Sequence, residues 1–352
     1  MSHERHLAAA ALSILVSLAG CARRVSAPSS LTSQQEDEVF TLYTPLSRSA
    51  EILRRTLPPL TFRRGQQALS AKGEALAEQP VDLAKERFAV HVPPGKAPKE
   101  GYGLLVFVAP WRQATHPRRW RPPLDRHALI FVSAANSGNE VNILDRRLPL
   151  ALLAYENVRA RYPLDPKRIY VWGFSGGSRV AQIAALAYPD VFQGVLLNAG
   201  SEPIGAERGV YLPPADLFRR FQTTRIVYVT GEDDEGNLQD DQISQASLKE
   251  WCVFDVEVQI ARRLGHETLD PASLDYALDA LDHHSAVDPG ALEQCNARIR
   301  RELAAKMAEA GDAAARGDRD GARQRMKAIE ARYGGLAAPA LFELDAKLGA
   351  GK

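Results

Sequence analysis

Val171-Trp172-Gly173-Phe174-Ser175-Gly176-Gly177-Ser178-Arg179-Val180 is the stretch on which the reading of this chain turns. It places Ser175 between glycines in the form G-x-S-x-G. Glycine and serine are common, so the spacing alone is weak. The flanks decide it. Arg168 to Trp172 is β-branched and aromatic, as a strand requires, and Ser178 to Ala187 carries a helical pattern. A serine on a sharp turn between strand and helix is a nucleophile elbow. Gly173 and Gly177 let strand and helix approach closely. The N–H of Gly176 then points to where an oxyanion would form, and the helix N-terminus adds a favourable partial charge. The competing phosphate-binding patterns, G-x-G-x-x-G and G-x-x-x-x-G-K-[ST], are absent from this stretch.

Working outward, short apolar runs alternate with amphipathic ones. Phe88–Val92, Leu104–Val108, Leu129–Ser133, Gly194–Asn198, Arg225–Thr230 and Val256–Ile260 read as further strands. Leu148–Arg159 and Asp240–Trp251 read as helices between them. This alternation predicts an α/β fold of about seven strands, a mostly parallel sheet with helices on both faces. Two segments fall outside the pattern. Phe40 to Lys85 contains a helix around Leu46–Leu57, ended by Pro58-Pro59 and followed by short elements. Pro289 to Lys352 is alanine-rich and reads as a helical hairpin, broken at Gly317-Asp318 and ended at Gly334-Gly335, with a third short helix from Ala338. Its expected role is packing against the main domain or against a protein partner.

The run Tyr162-Pro163-Leu164-Asp165-Pro166-Lys167-Arg168-Ile169-Tyr170-Val171-Trp172-Gly173-Phe174-Ser175-Gly176-Gly177 resembles the D-P-x-R-I-Y-V-x-G-x-S-x-G stretch of α/β-hydrolases, in the polyhydroxybutyrate-depolymerase and feruloyl-esterase branch. Ala187-Tyr188-Pro189-Asp190-Val191-Phe192 resembles the segment after the elbow helix in that group. The resemblance covers Glu86 to Asp282 and implies an α/β-hydrolase fold. In that fold the triad follows the chain order Ser, acid, His. The acid belongs after a late strand, where Gly231-Glu232-Asp233-Asp234 offers Asp234, with Asp233 as the alternative. The base belongs after the last strand, where Gly265-His266 offers His266. His283 and His284 compete from the end of a later helix. The second oxyanion donor comes from the loop after Val108. Many relatives have His-Gly there, whereas this chain has Ala109-Pro110. Proline has no N–H, so the donor falls to the amide of Trp111. The implied activity is ester hydrolysis by a Ser-His-Asp triad, without metal or organic cofactor. The departure at Ala109-Pro110 keeps a second expectation open: a catalytically retired hydrolase serving as a binding or scaffold protein.

Composition sets the remaining bounds. The chain has 352 residues, 45% hydrophobic and 25% charged, with 44 basic and 43 acidic residues giving a net charge of +1. No long-range field selects for nucleic acid, and Arg118, Arg119 and Arg121 are three charges in a proline-rich loop. Leu7 to Leu18 is an apolar run too short to span a bilayer, which takes about 20 residues, and reads as a signal-peptide core. Leu18-Ala19-Gly20-Cys21 resembles a bacterial lipobox, which implies cleavage before Cys21, its lipidation and a membrane anchor. Ala22 after that cysteine implies the outer membrane, facing the periplasm. Cys252 and Cys295 remain; they either pair in a disulfide or stand as two buried thiols. The expected organisation is a signal peptide over 1–20, a tether over 21–38, an N-terminal extension over 39–85, a hydrolase domain over 86–287 and a helical extension over 288–352.

Overall fold

A computed structural model describes residues 38–206 and 209–349. The signal peptide, Cys21 and all of the tether but Glu38 lie outside the described residues.

The strands are β1 (Phe88–His91), β2 (Tyr102–Val108), β3 (Leu129–Ala134), β4 (Leu164–Phe174), β5 (Gly194–Asn198), β6 (Arg225–Gly231) and β7 (Val256–Ala261). They form one sheet in the order β1-β3-β2-β4-β5-β6-β7. β1 runs antiparallel to β3 and every other pair is parallel. The helices are α1 (Ser49–Thr56), α2 (Pro59–Ala71), α3 (Arg121–Arg126), α4 (Leu148–Arg161), α5 (Gly176–Ala187), α6 (Ala215–Phe221), α7 (Glu235–Glu250), α8 (Pro271–Asp282), α9 (Pro289–Ala315), α10 (Arg319–Tyr333) and α11 (Ala338–Gly349).

The central strands are continuous apolar runs because both faces are covered. Alternate residues of β2 feed two separate cores. Leu104, Val106 and Val108 pack with Leu148 and Leu152 of α4, Val180 and Ile183 of α5, and Leu248 of α7. Leu105 and Phe107 pack on the other face with Trp172, Leu124 of α3, and Leu274 and Leu278 of α8. The first core runs on into both flanking segments, through Phe40, Ile52 and Leu60 at one end and Met326, Ile329 and Leu341 at the other.

Three expectations need correction. Pro58-Pro59 does not lead into short elements: Pro59 starts α2, a helix of 13 residues. Proline is favoured at a first helical position, where its missing N–H is not needed. β4 begins at Leu164 rather than Arg168, with an irregularity in its pairing between Tyr102 and Leu104. α7 begins at Glu235, five residues before the expected start, directly after Asp234.

The C-terminal helices dock on the chain itself. Tyr333 meets the Trp251 ring edge-on at 5.7 Å. The Glu330 carboxylate accepts the backbone N–H groups of Leu60 and Thr61 in the first turn of α2. Asp345 pairs with Arg63 and Arg64 of the same helix. Cys252 and Cys295 are joined by a disulfide that ties α9 to the end of α7, across 43 residues of sequence. Chain-entropy reasoning gives such a closure about 4 kcal/mol.

Candidate active site

Ser175 follows β4 and precedes α5, with φ 55° and ψ −124°. Left-handed φ at a non-glycine residue costs on the order of 1–3 kcal/mol and persists only where the surroundings impose it. Here they do. The Ser175 N–H donates to the Asn198 carbonyl at 2.8 Å, and the Ser178 N–H donates back to the Ser175 carbonyl at 2.9 Å. A Cβ on Gly177 would stand 1.9 Å from the Val108 carbonyl oxygen, so no side chain fits where α5 crosses β2. The turn holds Ser175 above the sheet at 6% exposure.

Asp234 and His266 arrive from the ends of the last two strands, β6 and β7. His266 Nε2 is 2.9 Å from Ser175 Oγ, and His266 Nδ1 is 2.6 Å from Asp234 Oδ2. A proton on Nδ1, donated to Asp234, leaves Nε2 free to accept the serine hydroxyl proton. Asp234 sits at the N-cap of α7 yet makes no side-chain capping bond. Its carboxylate is turned to His266 instead. The imidazole rests against Phe174, with ring centroids 5.0 Å apart.

The alternatives lie elsewhere. Asp233 is exposed, and its N–H donates to the Leu264 carbonyl at 3.0 Å, tying the acid loop to the histidine loop. His283 Nδ1 bonds the Asp279 carbonyl, and His284 Nδ1 bonds the buried Asp255.

Two groups that sequence reasoning missed lie on α7 beyond Asp234. Asn237 Nδ2 donates to both oxygens of Asp234 at 2.9 Å and lies 3.1 Å from His266 Nδ1, so two donors flank one carboxylate. One turn further along α7, Asp241 accepts the hydroxyls of Ser201 and Thr230, each at 2.6 Å. Burial pushes the Asp241 carboxyl above its ordinary range against the pull of these two bonds. The Asp234–Asn237 spacing of three is visible in the sequence, but only a helix that starts before Asp240 puts both residues on one face.

Asn237→Ala should lower kcat between about 10- and 100-fold through a misaligned carboxylate. KM should hold, and the loss should be less than additive with that of Asp234→Asn. Steady-state kinetics of the two single variants and the double variant check this.

On the other side of Ser175, the loop after β2 carries Ala109, Pro110 and Trp111. The Trp111 indole is buried, packs against Phe107 and Phe174, and donates Nε1–H to Thr115 Oγ1 at 3.2 Å. The loop after β3 folds onto it. The Asn139 N–H donates to the Pro110 carbonyl at 3.1 Å. The buried Arg147 guanidinium joins the Ser137 and Ala109 carbonyls at 2.8 and 3.0 Å. Among the described residues no cluster of His, Cys, Asp and Glu side chains is placed to hold a metal ion.

The parallel sheet, the elbow after β4 and the Ser-Asp-His order define an α/β-hydrolase fold with a C-terminal helical extension. No family model matches the chain. It is 42% identical over 45 residues to the poly(3-hydroxyalkanoate) depolymerase C of Paucimonas lemoignei, a match spanning 13% of this chain and 11% of that protein. Among solved structures it is similar to an S-formylglutathione hydrolase from Staphylococcus aureus, with a TM-score of 0.44 and 15% identity over 56% of this chain and 91% of that one. A thermostable esterase gives a TM-score of 0.41 and 16% identity over 61% of this chain and 60% of that one. A ferulic acid esterase gives 0.40 and 14% over 55% and 95%.

Proposed function

We propose that this chain is a serine hydrolase acting on carboxylic esters. The observation that carries the reading is the unbroken Ser175–His266–Asp234 relay on a strained elbow. Ser175 Oγ attacks the ester carbonyl while His266 Nε2 takes the hydroxyl proton. Asp234 orients the imidazole and stabilises its charged form. The N–H groups of Gly176 and Trp111 receive the oxyanion. The intermediate collapses to an acyl-serine and the alcohol leaves with the proton from His266. Water, deprotonated by the same imidazole, then releases the acid. The sequence resemblance to esterases and the short match to a poly(3-hydroxyalkanoate) depolymerase favour esters over peptides.

Pro110, which has no N–H to offer, favours a second reading, in which the site is retired and the C-terminal helices dock a protein partner. A fluorophosphonate probe separates the two without a known substrate. Covalent labelling of the folded chain supports the hydrolase; a folded chain that takes no label sinks it. A panel of p-nitrophenyl esters then ranks acyl length.

We also propose that the mature chain begins at a lipidated Cys21 and is held at the outer membrane facing the periplasm. The lipobox-like run before Cys21 supports this. Metabolic labelling with an alkyne fatty acid should mark the wild type and should not mark Cys21→Ala. An equally labelled variant would refute the anchor.

A further inference from the structure

We infer that the side-chain amide of Asn139 is an additional donor to the oxyanion, making Asn139 a catalytic residue; this rests on the hydrolase reading above. The need for such a donor comes from Pro110, which removes an N–H from the loop after β2. The place for it comes from Gly176. A Cβ built on Gly176 would lie 2.2 Å from Asn139 Oδ1, 2.7 Å from Cγ and 2.8 Å from Nδ2. The carboxamide therefore occupies the space that the missing Gly176 side chain leaves open, beside the residue whose N–H is the first oxyanion donor. Only glycine at 176 permits that approach.

The backbone fixes the amide there. The Asn139 N–H bonds Pro110, the Asn136 N–H donates to the Arg112 carbonyl at 2.6 Å, and Arg147 bridges both loops. Yet the amide itself is not satisfied: Asn139 Oδ1 is buried and has no hydrogen-bond partner among the described residues. Buried polar atoms are nearly always paired, so an orphan at this position points to a partner that the described residues do not supply. A half-turn about the last torsion exchanges the two ends of the carboxamide within the same outline, and no bond from the protein to Oδ1 opposes it. An N–H so placed stands beside Gly176 and gains its acceptor when the carbonyl oxygen of the substrate becomes an oxyanion. A group bonded only in the tetrahedral state lowers the barrier without tightening substrate binding.

The test uses the full mature chain with a p-nitrophenyl ester as substrate and a phenylboronic acid as the tetrahedral probe. Asn139→Ala should lower kcat by about 10²–10³-fold with KM within about threefold, and should weaken the boronate by a similar factor. Asn139→Asp keeps the shape but brings a negative charge to a negative centre, so its loss should be at least as large. Melting curves on both variants establish which of them folds, and a folded variant decides the matter if the other fails to fold. Either folded variant within about threefold of the wild-type kcat overturns the inference. So does a fallen kcat with unchanged boronate affinity. A wild type that neither labels nor turns over ester overturns the hydrolase reading and this inference with it. An active wild type with an indifferent Asn139 variant overturns this inference alone.

Discussion

Ser175→Ala should abolish fluorophosphonate labelling and reduce ester turnover by about 10⁴–10⁶-fold. The substitution deletes one oxygen and keeps Cβ, so the elbow retains its shape. The backbone bonds to Asn198 and Ser178 do not involve the hydroxyl. The variant should therefore melt near the wild type. Ser175→Gly should melt higher than Ser175→Ala, because glycine adopts φ 55° freely while alanine keeps the strain. Labelling and a melting curve on the same samples separate the loss of the nucleophile from the loss of the fold. A labelled Ser175→Ala would place the reactive residue elsewhere and end the assignment of Ser175 as nucleophile.

Asp234→Asn should lower kcat/KM by about 10⁴-fold. The reason is the proton on His266. An asparagine amide facing Nδ1 at hydrogen-bond distance pushes the proton to Nε2, which then faces Ser175 as a donor and cannot act as base. Shape is conserved, so stability should change little. The control is Asp233→Asn. Asp233 is exposed and contributes a backbone bond that the substitution preserves, so its kcat/KM should stay within about threefold of the wild type. If Asp233→Asn were the crippled variant and Asp234→Asn the active one, the acid would have been misassigned.

How much of this could be read from the sequence depends on whether neighbours in space are neighbours in pattern. The β4–elbow–α5 unit is continuous in the chain, and its glycines announce the close contacts that the structure shows at Gly177. Asp234 and His266 each follow an apolar strand-like run, so the order of strands was enough to nominate them. Asn237 is hidden by a helix start expected five residues later, at Asp240, because Gly236 and Asn237 have low helical propensity. Tertiary packing of α7 overrides that propensity. Asn139 was hidden more deeply. It lies in Ala135-Asn136-Ser137-Gly138-Asn139, a loop with no periodicity to read. It reaches Gly176 only because β3 and β4 flank β2 in the sheet, an order that is not the order of the chain. The docking of α2 against Glu330 and Asp345 was equally illegible, since it joins residues about 270 positions apart.

The disulfide changes how the halves of the site are secured. Ser175 rises from β4, which has a strand on either side, so sheet pairing alone locks it. His266 rises from β7, which closes the sheet and, among the described residues, pairs only with β6. A strand of that kind can peel from its single neighbour. Cys252 and Cys295 bracket β7, the histidine loop and α8, turning that whole stretch into a covalent ring fastened at its neck. Ser175 is thus clamped from both sides, whereas His266 is moored by a loop of chain that cannot drift further than its own circumference.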